Sequence, residues 1–119
     1  MNARTKERLK LILMFANRIK NDMETISLEN FLVNYEKQDA VLYRFGQIGE
    51  IASKISDDEQ EKHAEIFWQQ MIGLRHRLFH DYGVIDLAKI YEITQEPILQ
   101  LVKNLEEILN SEKRSNCND

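Results

Sequence analysis

A chain of 119 residues that is 43% hydrophobic and 30% charged has the composition of one soluble globular domain. Its single Pro and four Gly are too few turn signals for a sandwich or barrel of many short strands, and its one cysteine, Cys117, excludes an internal disulfide framework and any zinc-finger pattern. The formal net charge of −4 is unevenly spread: residues 1 to 20 hold six Lys or Arg against one Glu, a charge of +5, which leaves −9 for the rest.

Such a basic strip is either a solvated helix face or a face that meets phosphate or a partner. The longest apolar run, Leu11 to Ala16, is far short of the roughly 20 residues that a membrane span needs. With no long apolar region and no small-residue cleavage site near the start, a secretory signal is not expected and a cytoplasmic setting is.

In chain order, Leu9, Ile12, Ala16, Ile19 and Met23 recur at spacings of three and four, which predicts a helix from about Thr5 to Met23 with one apolar face. Ser27 with Asn30 resembles an N-cap, and Leu28, Phe31 and Leu32 suggest a short helix or turn. Val41, Phe45, Ile48, Ala52 and Ile55 predict a helix from about Glu36 to Lys54. The polar, acidic stretch Ser56 to Lys62 reads as a loop. Phe67, Met71, Leu74 and Leu78 predict a helix from about Ala64 to Asp81, stopped by Gly83. Asp86 caps the last segment, whose stripe from Ile90 through Thr94 and Ile98 to Ile108 passes Pro97, where a kink is expected. The expectation is an all-α antiparallel bundle of four to five helices, with residues 1–112 as the domain and 113–119 as a flexible tail.

The helix centred on Met71 differs from the others. Leu74, Leu78 and Phe67 lie on one side of it, while Ile72 and Phe79 fall about 80° to 100° away on the other. A helix with apolar surface on two sides packs on its own bundle and on something else, and a second copy across a two-fold axis meets that need.

The same helix carries Arg75, His76, Arg77 and His80 within six positions, followed by Asp81 and Tyr82. His76 and His80 stand four apart, a spacing that can present two imidazoles on one face. The metal reading of that pair lacks a glutamate after the first histidine and a third ligand, and Arg77 would repel the ion, so no metal site is expected. His63, in the acidic stretch, reads as a surface residue. Arg75 and Tyr82 lie about 20° apart on an ideal helix, whereas His80 is about 140° from Arg75. Either the last turn distorts before Gly83, or a symmetry mate completes the site.

Arg75, four residues, His80, one residue and Tyr82 resemble the R-x4-H-x-Y signature of the HEPN superfamily. The surrounding IGLRHRLFHDYGVIDLAKIYEI is similar to its HepT branch, the toxin half of MntA-HepT toxin-antitoxin pairs. Gly49 and Glu50 resemble the family's Gly-Glu step, Trp68 stands in the approach to the motif helix as it does there, and the likeness covers nearly the whole chain. The family often has Asn after the Arg; here it is His76, whose imidazole can also donate and accept hydrogen bonds.

The resemblance implies an all-helical homodimer whose two motifs meet at the subunit interface and cleave RNA with neither metal nor other cofactor. It implies Arg75 as the phosphate clamp, His80 as base or acid, and His76 as a second proton carrier. Glu50 and Asp81 stand in support. It further implies a nucleotidyltransferase antitoxin resembling MntA that transfers AMP to Tyr82. The chemistry suits these residue types: histidine titrates near neutrality, and guanidinium grips phosphate with two prongs. A non-catalytic partner or substrate of a nucleotidyltransferase is the rival expectation, favoured by the acidic net charge. A helical dimer with purely structural histidines is the third.

Overall fold

The computed structural model describes residues 1–80 and 85–117, and every regular element among them is helical. Four long helices, α1 (Ala3–Met23), α3 (Tyr35–Ser53), α5 (Trp68–His80) and α7 (Glu96–Cys117), form the bundle, with α2 (Leu28–Phe31), α4 (Asp57–Lys62) and α6 (Leu87–Ile93) as short connecting helices. No helix among the described residues is long and apolar enough to cross a membrane.

The predicted stripe of α1 is the floor of the core: Leu9, Ile12, Ala16, Ile19 and Met23 are all fully buried. Each large side chain buried in this way contributes about 1.5–3 kcal/mol. Asn2 caps the helix, its side chain accepting from Thr5 N at 2.8 Å. Ser27 caps α2 by accepting from Asn30 N at 3.2 Å, and Asn34 caps α3 by accepting from Lys37 N at 3.0 Å.

The neighbours run antiparallel. Arg8 near the start of α1 donates to the carbonyl of Lys54 at 2.8 Å, while Asp22 near its end meets Arg44 of α3 at 2.6 Å. The terminal amine of Met1 lies 3.7 Å from Glu112 of α7, and Gln95 donates to the Met23 carbonyl at 3.5 Å, which fixes α7 alongside α1.

Two glycines set the closest approach in the bundle. A Cβ on Gly46 would sit 2.8 Å from the ring of Phe79, and one on Gly49 would sit 2.5 Å from Cβ of Arg75 and 2.6 Å from the carbonyl oxygen of Met71. Helix α5 therefore lies against bare backbone of α3, a distance no larger residue allows.

Three expectations are corrected. The stretch read as a loop is helix α4: Ser56 accepts from Glu59 N at 3.2 Å, and Asp57, Asp58 and Glu59 face the positive end of the helix dipole. Only Gln60 of α4 is buried, and its amide donates to the carbonyls of Ala52 and Ile55 at 3.3 and 3.1 Å, so no apolar stripe announces the helix.

The expected kink at Pro97 is a break. Helix α6 ends at Thr94, whose hydroxyl donates to the Tyr91 carbonyl at 2.6 Å, and α7 restarts at Glu96. Pro97 thus stands in the first turn of α7, where its missing N–H leaves no bond unmade. The apolar phase still carries across, with Ile90, Thr94 and Ile98 all buried. Helix α7 runs to Cys117. The motif helix starts at Trp68, four residues later than the periodicity suggests, and the expected stop at Gly83 lies outside the described residues.

Candidate active site

Arg75 is held on one side of α5 by geometry that begins at Gly49. With no side chain there, Arg75 leaves its helix against α3, and its Nη2 reaches Glu50 Oε2 at 2.6 Å. Both side chains are 36% exposed, so the pair is open to solvent on its outer side. The guanidinium carbon also lies 5.5 Å from the ring centre of Phe79, and Glu50 has a second cation, Lys54, at 3.6 Å. A carboxylate and an aromatic ring therefore fix the orientation of the fork, whose remaining donors, unpaired among the described residues, suit the two non-bridging oxygens of a phosphodiester.

His76 and His80 form a second group. Their rings are 4.6 Å apart between centres and tilted by 37°, and both residues are exposed. His80 opens onto a groove of about 840 Å³ between α5 and α6, whose polar lining includes Arg77, Asp86, Lys89 and Glu92 and whose floor is Leu74 and Ile90. Asp86 also caps α6, accepting from Ala88 N at 3.1 Å and Lys89 N at 3.3 Å. The groove brings two cations beside an imidazole, an arrangement able to hold phosphate while a proton is moved.

The sequence-identified residues thus divide into two sets. Glu50 and Arg75 meet directly on the α3 side, His76 and His80 stack on the outward side, and the two sets face different directions on one helix. Asp81 and Tyr82 lie outside the described residues. Reasoning from the sequence missed Lys89, which joins His80 only because α5 and α6 line one groove, and Gly46, whose role exists only in the packed pair. His63 is partly covered, with Glu65 at 3.9 Å, and its carbonyl accepts from the indole N–H of Trp68 at 3.0 Å; a second acceptor, the carbonyl of Gln60, lies at 3.1 Å. Trp68 therefore anchors the start of the motif helix.

Among the described residues no group of three or more His, Cys, Asp or Glu is placed to hold a metal ion. A second cavity of about 430 Å³ lies between α3, α5 and the start of α7, with walls of Phe45, Ile48, Met71 and Leu101 and with Arg77 at its mouth. Its apolar walls offer no proton carrier and lie on the opposite side of α5 from the Arg75–Glu50 pair.

Residues 8–108 match the family model described as ribonuclease HepT-like. A protein of Methanocaldococcus jannaschii named "Putative RNase" is 32% identical over 80% of this chain and 87% of its own length. A protein of Caldanaerobacter subterraneus subsp. tengcongensis with the same description is 31% identical over 74% of this chain and 79% of its own. One of Thermococcus cleftensis named "Probable ribonuclease HepT" is 31% identical over 70% and 76%. No solved structure matches the chain.

Proposed function

The chain belongs to the ribonuclease HepT-like family, and from that premise we propose that it is a metal-independent endoribonuclease acting as the toxin of a cytoplasmic toxin-antitoxin pair. The observation that carries the reading furthest is the division of the site. Arg75 is tied to Glu50 on one side of α5 while His80 opens into the α6 groove on another. A two-fold dimer through the outward edge of α5 would bring the Arg75 of one protomer to the His80 of its mate. Phe79, 48% exposed on that edge, gives such a dimer an apolar contact.

In the composite site an imidazole takes the proton of an RNA 2′-hydroxyl. The freed O2′ attacks the adjacent phosphorus, the P–O5′ bond breaks, and a second proton carrier protonates the leaving O5′. His80 serves in the first or second of these roles and His76, stacked on it, in the other. Arg75 balances the charge that builds on the phosphorane oxygens. The products are a 2′,3′-cyclic phosphate and a 5′-hydroxyl.

Neutralisation follows from the motif tyrosine. A nucleotidyltransferase antitoxin that transfers AMP to Tyr82 adds a phosphodiester, and about one negative charge, two residues from His80; this competes for the Arg75 that RNA phosphate needs. Intact-mass spectrometry after co-expression should show one or more AMP units on the wild-type chain and none on Tyr82→Phe. The net charge of −4 favours a second reading, in which the chain is a non-catalytic partner of the transferase.

Subunit mixing tests the enzyme. Arg75→Ala and His80→Ala should each be inactive on single-stranded RNA, with EDTA without effect on the wild type. Mixed and exchanged, they should recover about a quarter of wild-type activity, since half the dimers are mixed and each has one intact site of two. No recovery would refute the composite site, and no wild-type cleavage would favour the non-catalytic reading.

A further inference from the structure

The basic strip of α1 is not used by the site just described, yet it lies on the same outer surface. Arg4, Arg8, Leu11, Phe15 and Arg18 fall within an arc of about 80° on the helix, at the border where α1 meets α3. Arg4 and Arg18 are exposed and Leu11 is 45% exposed. The guanidinium of Arg18 lies 5.8 Å from the ring centre of Phe15, and the Phe15 ring meets Tyr43 of α3 edge-on at 6.4 Å and 76°. Tyr43 is thereby braced on one edge while 60% of it remains in solvent.

Tyr43 and Glu50 are seven residues apart on the same face of α3, about 10 Å along its axis. The braced aromatic therefore stands close to the Arg75–Glu50 pair. Three carboxylates on this surface are held by cations, Glu7 by Lys10 at 3.4 Å, Asp22 by Arg44 at 2.6 Å and Glu50 by Arg75 at 2.6 Å, while Glu36 and Asp39 on the Tyr43 face of α3 are exposed. Among the described residues Arg4 and Arg18 form no ion pair, in a chain whose net charge is −4.

We infer that the α1–α3 surface is a track for single-stranded RNA, in which Tyr43 stacks a base and Arg18 and Arg4 hold phosphates of the strand that enters the Arg75 site. This rests on the ribonuclease reading above and adds the substrate form to it. Exposed aromatics alternating with guanidinium groups recognise unstacked bases and backbone together, which a duplex cannot offer. Charge complementarity decides the occupant, because Arg4, Arg8 and Arg18 set three guanidinium groups on one side of α1 in a chain of net charge −4.

The test uses the full chain and a fluorescein-labelled single-stranded RNA made uncleavable by 2′-O-methylation, read by fluorescence anisotropy over a range of salt. Tyr43→Ala should bind at least about 5-fold more weakly and Tyr43→Phe within about 2-fold of wild type. Arg18→Gln and Arg4→Gln should each reduce the salt slope by about 0.7, the value for one phosphate contact on a single strand. Circular dichroism checks that each variant is folded, and light scattering follows oligomeric state. Unchanged affinity and slope in variants of a chain that cleaves RNA would overturn the track and leave the enzyme standing. Tyr43-dependent binding by a chain that never cleaves would do the reverse. A Tyr43→Ala protein that changes oligomeric state would overturn it as well, since the surface would then be a contact between copies.

Discussion

Gly49→Ala is the sharpest perturbation of the arrangement that presents Arg75. The added methyl would fall 2.5 Å from Cβ of Arg75 and 2.6 Å from the Met71 carbonyl oxygen, and the second of these is backbone that no rotamer change can move. Ordinary carbon contacts need about 3.5–4.0 Å, so α5 must shift from α3 by about 1 Å. Overpacking of this kind costs about 1–3 kcal/mol, against which Ala gains about 0.5–1 kcal/mol over Gly in a helix interior.

A net loss of about 0.5–2 kcal/mol follows, visible as a fall of several degrees in Tm by circular dichroism. The shift also draws Arg75 from Glu50, so RNA cleavage should fall in the fraction that remains folded. Gly73 is the contrast on the same helix, because no neighbour among the described residues lies within 4 Å of the place its Cβ would take. Gly73→Ala should raise Tm. A Gly49→Ala protein as stable as wild type would refute the close-approach argument, and a destabilised Gly73→Ala would place a neighbouring molecule against α5 there.

Other outcomes follow from single contacts. Arg75→Ala and His80→Ala should each lower the rate of RNA cleavage by about 10²- to 10⁴-fold while the far-ultraviolet dichroism stays that of the wild type; loss of helical signal would make the effect structural. The side-chain hydrogen bond from Arg44 holds the Asp22 carboxyl below the usual carboxylate range, aided by the charges of Arg44 and Lys37 and opposed by partial burial. Because the folded value is the lower one, this stability is complete above the unfolded pKa of about 3.9 and is lost as pH falls through the folded value. Asp22→Asn should therefore flatten the acid limb of stability below that pH, with a cost at pH 7 of no more than about 1 kcal/mol; an unaltered acid limb would contradict the pairing. Trp68→Phe removes the donor shared by the carbonyls of Gln60 and His63, and urea unfolding should show a loss of about 1–3 kcal/mol.

The long helices were legible because each buries a continuous apolar stripe. α1 and α3 lie within two residues of the periodicity at both ends, and their N-caps, Asn2 and Asn34, are of a residue type that starts helices. Helix α4 was hidden because burial there is achieved by one amide, Gln60, rather than by apolar side chains. The α6–α7 boundary was hidden for the opposite reason: a stripe spaced by four residues through Thr94 and Ile98 is the same whether one helix continues or two are stacked end to end. Packing between elements has no local signature at all, which is why Gly46 and Lys89 acquire their roles only in the folded chain.

The site itself shows how far helix geometry alone can reach. The angle of about 140° between Arg75 and His80 follows from a residue count, and α5 keeps both on one regular helix. What the count cannot supply is the neighbour each residue answers to. Arg75 is positioned by Glu50 and by the missing side chain of Gly49, both on α3, whereas His80 borders a groove made with α6. Substitutions on α3 should therefore act first on the placement of Arg75, the proposed phosphate clamp, and substitutions on α6 such as Lys89→Ala on the surroundings of His80, the proposed proton carrier. In the mixing experiment the two classes are distinguishable: an α3 variant should be rescued by an Arg75-intact mate, and an α6 variant by a His80-intact one. No rescue in either mixture would mean that Arg75 and His80 act together within one chain.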